Sequence, residues 1–193
     1  MPEHLKIDKA KTALLIMDYQ NTVVGMLAEE QRGALLRRAQ QILEASRQMG
    51  LPIIYVVVRF RRGYPEVSSR NQAFGRVKEG GLLQEDTPGA DIHSEVAPQV
   101  DEVVVTKRRV GAFSTTELET ILRAKGVDTL VLLGITTSGV VLSTVRWASD
   151  MDYQLVVISD GCADPDEEVH RTLVEKVFPR QATVVTTQQF LKS

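Results

Sequence analysis

Residues 129–141 read Thr-Leu-Val-Leu-Leu-Gly-Ile-Thr-Thr-Ser-Gly-Val-Val, an apolar run that ends in a polar, Gly-containing turn and leads into a helically spaced stretch. Such a hand-over is how a strand buried on both faces passes to its crossover helix. The same rhythm recurs along the chain. Strands are expected over Thr12 to Asp18, Ile53 to Arg59, Glu102 to Lys107, Thr129 to Gly134, Gln154 to Ser159 and Ala182 to Thr186. Between them Glu29 to Met49, Thr115 to Lys125, Gly139 to Asp150 and Asp166 to Val177 carry apolar residues at helical spacing. Gly50-Leu51-Pro52 and Gly126 stop two of these helices, and Ser114 or Thr115 followed by Glu117 reads as a cap. The expectation is an α/β fold: a three-layer sandwich, one six-stranded parallel sheet with helices on both faces.

Length and composition fit. A chain of 193 residues, 43% hydrophobic and 25% charged, can bury one full core as a single domain over 1–193. A formal charge of −2 is too small to mark a nucleic-acid or membrane partner, and Arg59, Arg61 and Arg62 are local rather than part of a basic stripe. A small-molecule partner is therefore expected. No apolar run approaches the roughly 18 residues needed to cross a bilayer. The lone Cys162 has no disulfide partner, which fits a reducing cytoplasm.

The stretch from Phe60 to Val100 breaks the rhythm with Arg61, Arg62, Gly63, Tyr64, Pro65, Arg70, Asn71, Phe74, Gly80, Gly81, Pro88 and Gly89. It is too long for a simple crossover and too polar for core, so it reads as the wall or lid of a pocket.

In open parallel sheets, ligands bind beyond the carboxyl ends of the strands, near the point where strand order reverses. Asp18, Arg59, Lys107 and the turn from Gly134 to Val140 all stand at such ends, so one crevice can collect them. Each has a plainer reading. Asp18 and Lys107 make either an acid–base site or a structural ion pair. Gln20 and Asn21 either meet a ligand or close the turn after the strand. Phe113 either stacks on a ligand or packs in the core, and Thr137 and Ser138 either attack a substrate or cap a helix. Cys162 reads as a small buried hydrophobe, and Trp147 with Met151 as a packing or subunit face. His93 and His170 lack partners at ligand spacing and His4 lies near the terminus, so no metal is expected. Gly134 to Gly139 lacks the Gly-x-Gly-x-x-Gly pattern, so no dinucleotide and no other cofactor is expected.

Taken in order, these pieces resemble the isochorismatase-like hydrolases, the cysteine hydrolase superfamily. The resemblance rests on Asp18-Tyr19-Gln20-Asn21, Lys107 followed by Ala112-Phe113-Ser114-Thr115-Thr116-Glu117-Leu118, Gly134-Ile135-Thr136-Thr137, and Asp160-Gly161-Cys162-Ala163-Asp164. It implies strand order 3-2-1-4-5-6, a homo-oligomer (dimer or tetramer) and a cis peptide at Ile135-Thr136. Typical members read Gly-x-x-Thr-x-x-Cys-Val in the turn, and aligned without a gap Val140-Val141 occupies the Cys-Val pair. The usual thiol mechanism is then not available. The true isochorismatases carry Gly at the Cys position and hydrolyse a vinyl ether with release of pyruvate. Here Gly139 stands one position earlier than that. The nicotinamidase branch binds metal through Asp-x-His after the second strand, where this chain has Arg59-Phe60-Arg61.

Vinyl ether hydrolysis needs a proton delivered to carbon and water added to an oxocarbenium ion, which a carboxylic acid can drive. By resemblance Asp18 is the general acid and base, Lys107 holds a substrate carboxylate or developing charge, and Gln20 orients water. The N–H groups around Gly139 and Val140 form an anion site, with Arg59, Phe113, Thr137 and Ser138 as further substrate contacts. Two function classes follow. One is a cofactor-independent hydrolase of a small carboxylated substrate; the other is a non-catalytic metabolite-binding or assembly protein that kept the pocket. Retention of Asp18, Gln20 and Lys107 together favours the enzyme.

Overall fold

Along β1 (Thr12–Met17) the side chains sort to two sides: Leu14 and Ile16 join one buried apolar cluster, Ala13, Leu15 and Met17 another. Successive strand residues point to opposite faces, so this sheet is covered on both. The computed structural model describes residues 6–193, and His4 lies outside them. After β1 come α1 (Asn21–Gly25), α2 (Glu29–Met49), β2 (Ile53–Val58), α3 (Gln72–Glu79), β3 (Val103–Lys107) and α4 (Leu118–Ala124). Then follow β4 (Thr129–Ile135), α5 (Leu142–Asp150), β5 (Gln154–Ala163), α6 (Glu167–Thr172), β6 (Thr183–Val185) and α7 (Thr187–Phe190). The strands form one sheet of order β3-β2-β1-β4-β5-β6, parallel throughout. The reversal of strand order falls between β1 and β4, where ligand crevices form in sheets of this kind.

The helices find their places by their apolar stripes. Leu35, Leu36, Ala39, Ile42 and Leu43 turn α2 onto the Leu14 side, while Leu118 and Leu122 of α4 and Val145 and Ala148 of α5 cover the Leu15 side. α2 stops at Gly50, whose left-handed φ of 75° lets its N–H close on the Arg47 carbonyl. Two boundaries differ from the sequence reading. The expected Ser114 or Thr115 cap does not form: Glu117 takes the N-cap position of α4 without a side-chain hydrogen bond, and Thr116 Oγ1 accepts from the Leu118 N–H at 3.4 Å. β5 runs on to Ala163 because its register against β4 shifts between Leu132 and Gly134, after which Gly134 pairs with Cys162 and Ile135 with Ala163.

Part of the 60–100 segment, read from sequence as too polar for core, packs into it. Phe60 is fully buried, with ring centroids 5.7 Å from Tyr64 and 5.0 Å from Phe74, and Val67, Leu83 and Val96 join the same cluster. Bridges from Phe60 to Gln84 and from Gln20 to Ile92 tie the segment to the strand ends. On the opposite face Trp147 stands half exposed on α5, while Met151 packs against the Leu15-side cluster. Among the described residues no helix is long and apolar enough to cross a membrane.

The aromatic packing yields a test. Phe60→Ala deletes a buried ring, a change that typically costs about 3–5 kcal/mol. Urea unfolding should show a loss in that range, whereas a detached lid would show almost none.

Candidate functional site

Asp18 follows the last residue of β1 in the left-handed region, φ 57°, a conformation Asp tolerates better than most side chains. Its N–H donates to the Val56 carbonyl at 2.8 Å, which ties it to β2. Lys107 closes β3 in register with Val58. The two therefore flank the end of β2, and their side chains meet across it with Lys107 Nζ 2.8 Å from Asp18 Oδ2. Both are enclosed: Asp18 is 5% and Lys107 2% exposed. Lys107 also donates to the Arg109 carbonyl at 3.2 Å. The second carboxylate oxygen of Asp18, Oδ1, is buried without a hydrogen-bond partner among the described residues. Burial pushes the Asp18 carboxyl above the ordinary carboxylate range, and the Lys107 ammonium opposes this without reversing it.

β1, β4 and the following helix approach closely at Gly134, where any larger residue would be crowded. A Cβ on Gly134 would lie 3.1 Å from the Met17 Cβ and carbonyl and 3.1 Å from Val141 Cγ2. The Ile135–Thr136 peptide is cis, and a π-helical turn, Thr137–Val141, leads into α5. Thr136 caps that turn, its Oγ1 accepting from the Gly139 N–H at 3.1 Å.

The other expected site residues divide. Arg59 stands at the same edge, its Nε donating to the Ala90 carbonyl at 3.2 Å. Ser138 is exposed at the start of the turn. Four residues fill other roles. Gln20 Nε2 donates to the Val58 and Ala90 carbonyls at 2.9 and 2.7 Å and its Oε1 accepts from the Val58 N–H at 2.8 Å, so it braces strand ends instead of orienting water. Phe113 packs beside Tyr153, centroids 6.0 Å apart, in the core. The Gly139 N–H is spent on the Thr136 cap rather than on an anion. Val140 is buried and joins the Leu15-side cluster.

Thr137 is also buried, with Oγ1 2.8 Å from His170 Nδ1. Ser138 donates from both N and Oγ to Asp164 Oδ2, at 2.9 and 2.6 Å. His170 and Asp164 are partners that sequence reasoning missed. Asp164 stood inside a recognised motif, but no spacing rule signals contacts across 26 or 33 residues. Both also line a cavity of about 810 Å3 over the end of β5, between α2 and α6, together with Leu35, Arg38, Asp160 and Cys162. Burial pushes the Cys162 thiol up to about 12, which leaves it protonated and unreactive near neutrality. Among the described residues no group of three or more His, Cys, Asp or Glu could hold a metal ion.

A doubly wound parallel sheet thus brings an acid and a lysine together at neighbouring strand ends, beside the close-packed turn after β4. The isochorismatase domain model matches residues 12–189, and the chain belongs to the isochorismatase family. It is 33% identical over 192 residues to the uncharacterized isochorismatase family protein YwoC of Bacillus subtilis, covering 100% of this chain and 98% of YwoC. It is 28% identical to the ureidoacrylate amidohydrolase RutB of Agrobacterium fabrum, covering 95% of this chain and 91% of RutB. The fold is similar to a cysteine hydrolase structure from Pseudomonas syringae pv. phaseolicola, with a TM-score of 0.86, 23% identity, and 96% and 92% of the two chains covered.

Two stability tests follow. Lys107→Met leaves a buried carboxylate without its cation and should cost about 3–5 kcal/mol, with part of that recovered in the Asp18→Asn/Lys107→Met double variant; urea unfolding measures both. Burial lowers the His170 pKa from its ordinary 6.5, with Asp164 and Glu167 opposing. The unfolded chain therefore takes up this proton first as pH falls. Stability is full above about 6.5 and declines as pH drops through that value and the lower folded one. Unfolding curves across that range should show the decline, and His170→Asn should flatten it.

Proposed function

We propose that this protein hydrolyses a small carboxylated substrate without a covalent thiol intermediate, with Asp18 as general acid and base and Lys107 as the partner for substrate charge. The observation that carries this reading is the enclosed ion pair whose carboxyl is raised by burial above its ordinary range. A raised carboxyl is suited to hold a proton and deliver it. On a vinyl ether, Asp18 protonates the terminal carbon, and water then adds to the resulting oxocarbenium carbon and returns a proton to the carboxylate. The hemiketal breaks its C–O bond to an alcohol and a ketone. Lys107 stabilises the carboxylate next to the reacting centre. Arg59, at the same edge, supplies a further contact.

Support comes also from what is missing in the expected place. Val140 is apolar where a thiol nucleophile is usual, and Cys162 is buried and protonated. RutB, by its name an amidohydrolase of a ureidoacrylate, is a relative whose substrate is a small carboxylated molecule. The same buried Val140, with the Gly139 N–H already used, favours a second reading: a non-catalytic metabolite-binding or assembly protein. A homo-oligomer, dimer or tetramer, belongs to either reading.

The test is pyruvate release from isochorismate, read through a coupled dehydrogenase. Turnover should fall about 10²–10⁴-fold in Asp18→Asn. In the wild type it should also fall as pH rises through the Asp18 pKa, since the acid must be protonated to donate. Absence of turnover in the wild type would remove isochorismate as the substrate and favour the binding reading.

A further inference from the structure

The turn after β4 is held from two directions. On the Asp18 and Lys107 side, Gly134 seats it against Met17, and a Cβ on Gly139 would lie 3.8 Å from the Val110 side chain, which follows β3. On the other side it is gripped by one segment, the end of β5 and the start of α6. Asp164 is 7% exposed, and among the described residues no cation pairs with it within salt-bridge distance. Its charge is met by hydrogen bonds alone: Ser138 N–H at 2.9 Å and Ser138 Oγ–H at 2.6 Å on Oδ2, and Asp166 N–H at 3.3 Å on Oδ1. His170 closes on Thr137 at 2.8 Å from α6.

A buried carboxylate without a cation is a poor filler. Desolvation opposes it, and a small neutral side chain would occupy the space at lower cost. What the charge adds is strong, directional hydrogen bonds to one backbone N–H and one hydroxyl of the same residue. Those bonds fix both the rotation and the height of the turn. On the reading that the Asp18 edge is catalytic, we propose that Asp164 and His170 are positioning residues: they act through Ser138 and Thr137 to hold the first helical turn after β4 in register with the Asp18–Lys107 pair. Neither residue touches the reacting atoms. Both act by denying the turn the small displacements that misplace a substrate, and misplacement by about 1 Å can cost on the order of a hundredfold in rate.

The experiment compares Asp164→Ala, Asp164→Asn, His170→Ala and His170→Asn, each checked for folding by circular dichroism. With isochorismate as substrate, the alanine variants should lower kcat about tenfold to a hundredfold and change KM little. The asparagine variants, which keep a hydrogen-bonding group at the Oδ and Nδ1 positions, should recover most of the loss. Equal kcat in alanine variants and wild type would overturn the proposal. If the wild type does not turn over isochorismate, the reaction reading has failed, but the clamp is still decided by a second readout. Val140→Cys in a Cys162→Ala background places one thiol on the turn, titrated by its thiolate absorbance. Removing the Asp164 charge by itself lowers that thiol's pKa, so the clamp is read between two neutral variants: with Asp164→Ala the thiol pKa should stand about one unit, a tenfold change, above that with Asp164→Asn as the turn loosens. Equal thiol pKa values in these two backgrounds would overturn the proposal independently of any activity.

Discussion

Two opposite charges, enclosed 2.8 Å apart at the end of a parallel sheet, set the terms for everything around them. Taking a carboxylate and an ammonium out of water costs several kcal/mol for each ion, and their attraction offsets this only if the geometry is held. Much of the strand-end structure does that holding. Gln20 uses its amide to lash β2 to the 90s, and Asp18 itself is tied to β2 through its N–H. Next to Lys107, Arg108 bonds to Glu66, Glu85 and the Arg59 carbonyl, so the β2 and β3 ends cannot separate without breaking an ionic network as well. The pair is thus a constraint first, and its chemistry depends on that constraint.

How much of this was legible in the chain follows from what local sequence encodes. Strands covered on both faces leave uninterrupted apolar runs, and a long helix with one apolar stripe leaves an unmistakable period, so β1, β2 and α2 were placed within a residue of where they lie. β5 was cut short because Asp160-Gly161 looks like a turn when read alone. In the fold those residues continue a strand whose register slips against β4, and a slip is a property of two strands together. The 60–100 segment was read as too polar for core because its charged and Gly-rich composition outweighed Phe60, Tyr64 and Phe74, which lie close together in the chain and share one aromatic cluster.

The site divides along the same line. Asp18 and Lys107 were legible because each stands at the end of a strand, and parallel strands bring their ends to one edge. Gln20, Phe113, Gly139 and Val140 stand near that edge too, but proximity did not reveal which backbone groups or apolar neighbours would claim them. Asp164 and His170 were invisible as partners of the turn because their contacts exist only once β5 has been displaced and α6 folded back over it.

The half-exposed indole on α5 has a use of its own. Trp147 is the sole tryptophan in the chain, and it sits on the helix that the Thr137–Val141 turn leads into. Intrinsic emission excited at the indole band therefore comes from a single address, wet on one side and anchored on the other to the helix after β4. Its wavelength reports solvent at that face, and its anisotropy reports the size of the particle carrying it. Subunit association over α5 and melting of the helix would shift the emission in opposite directions, so one unlabelled chromophore can tell assembly from unfolding.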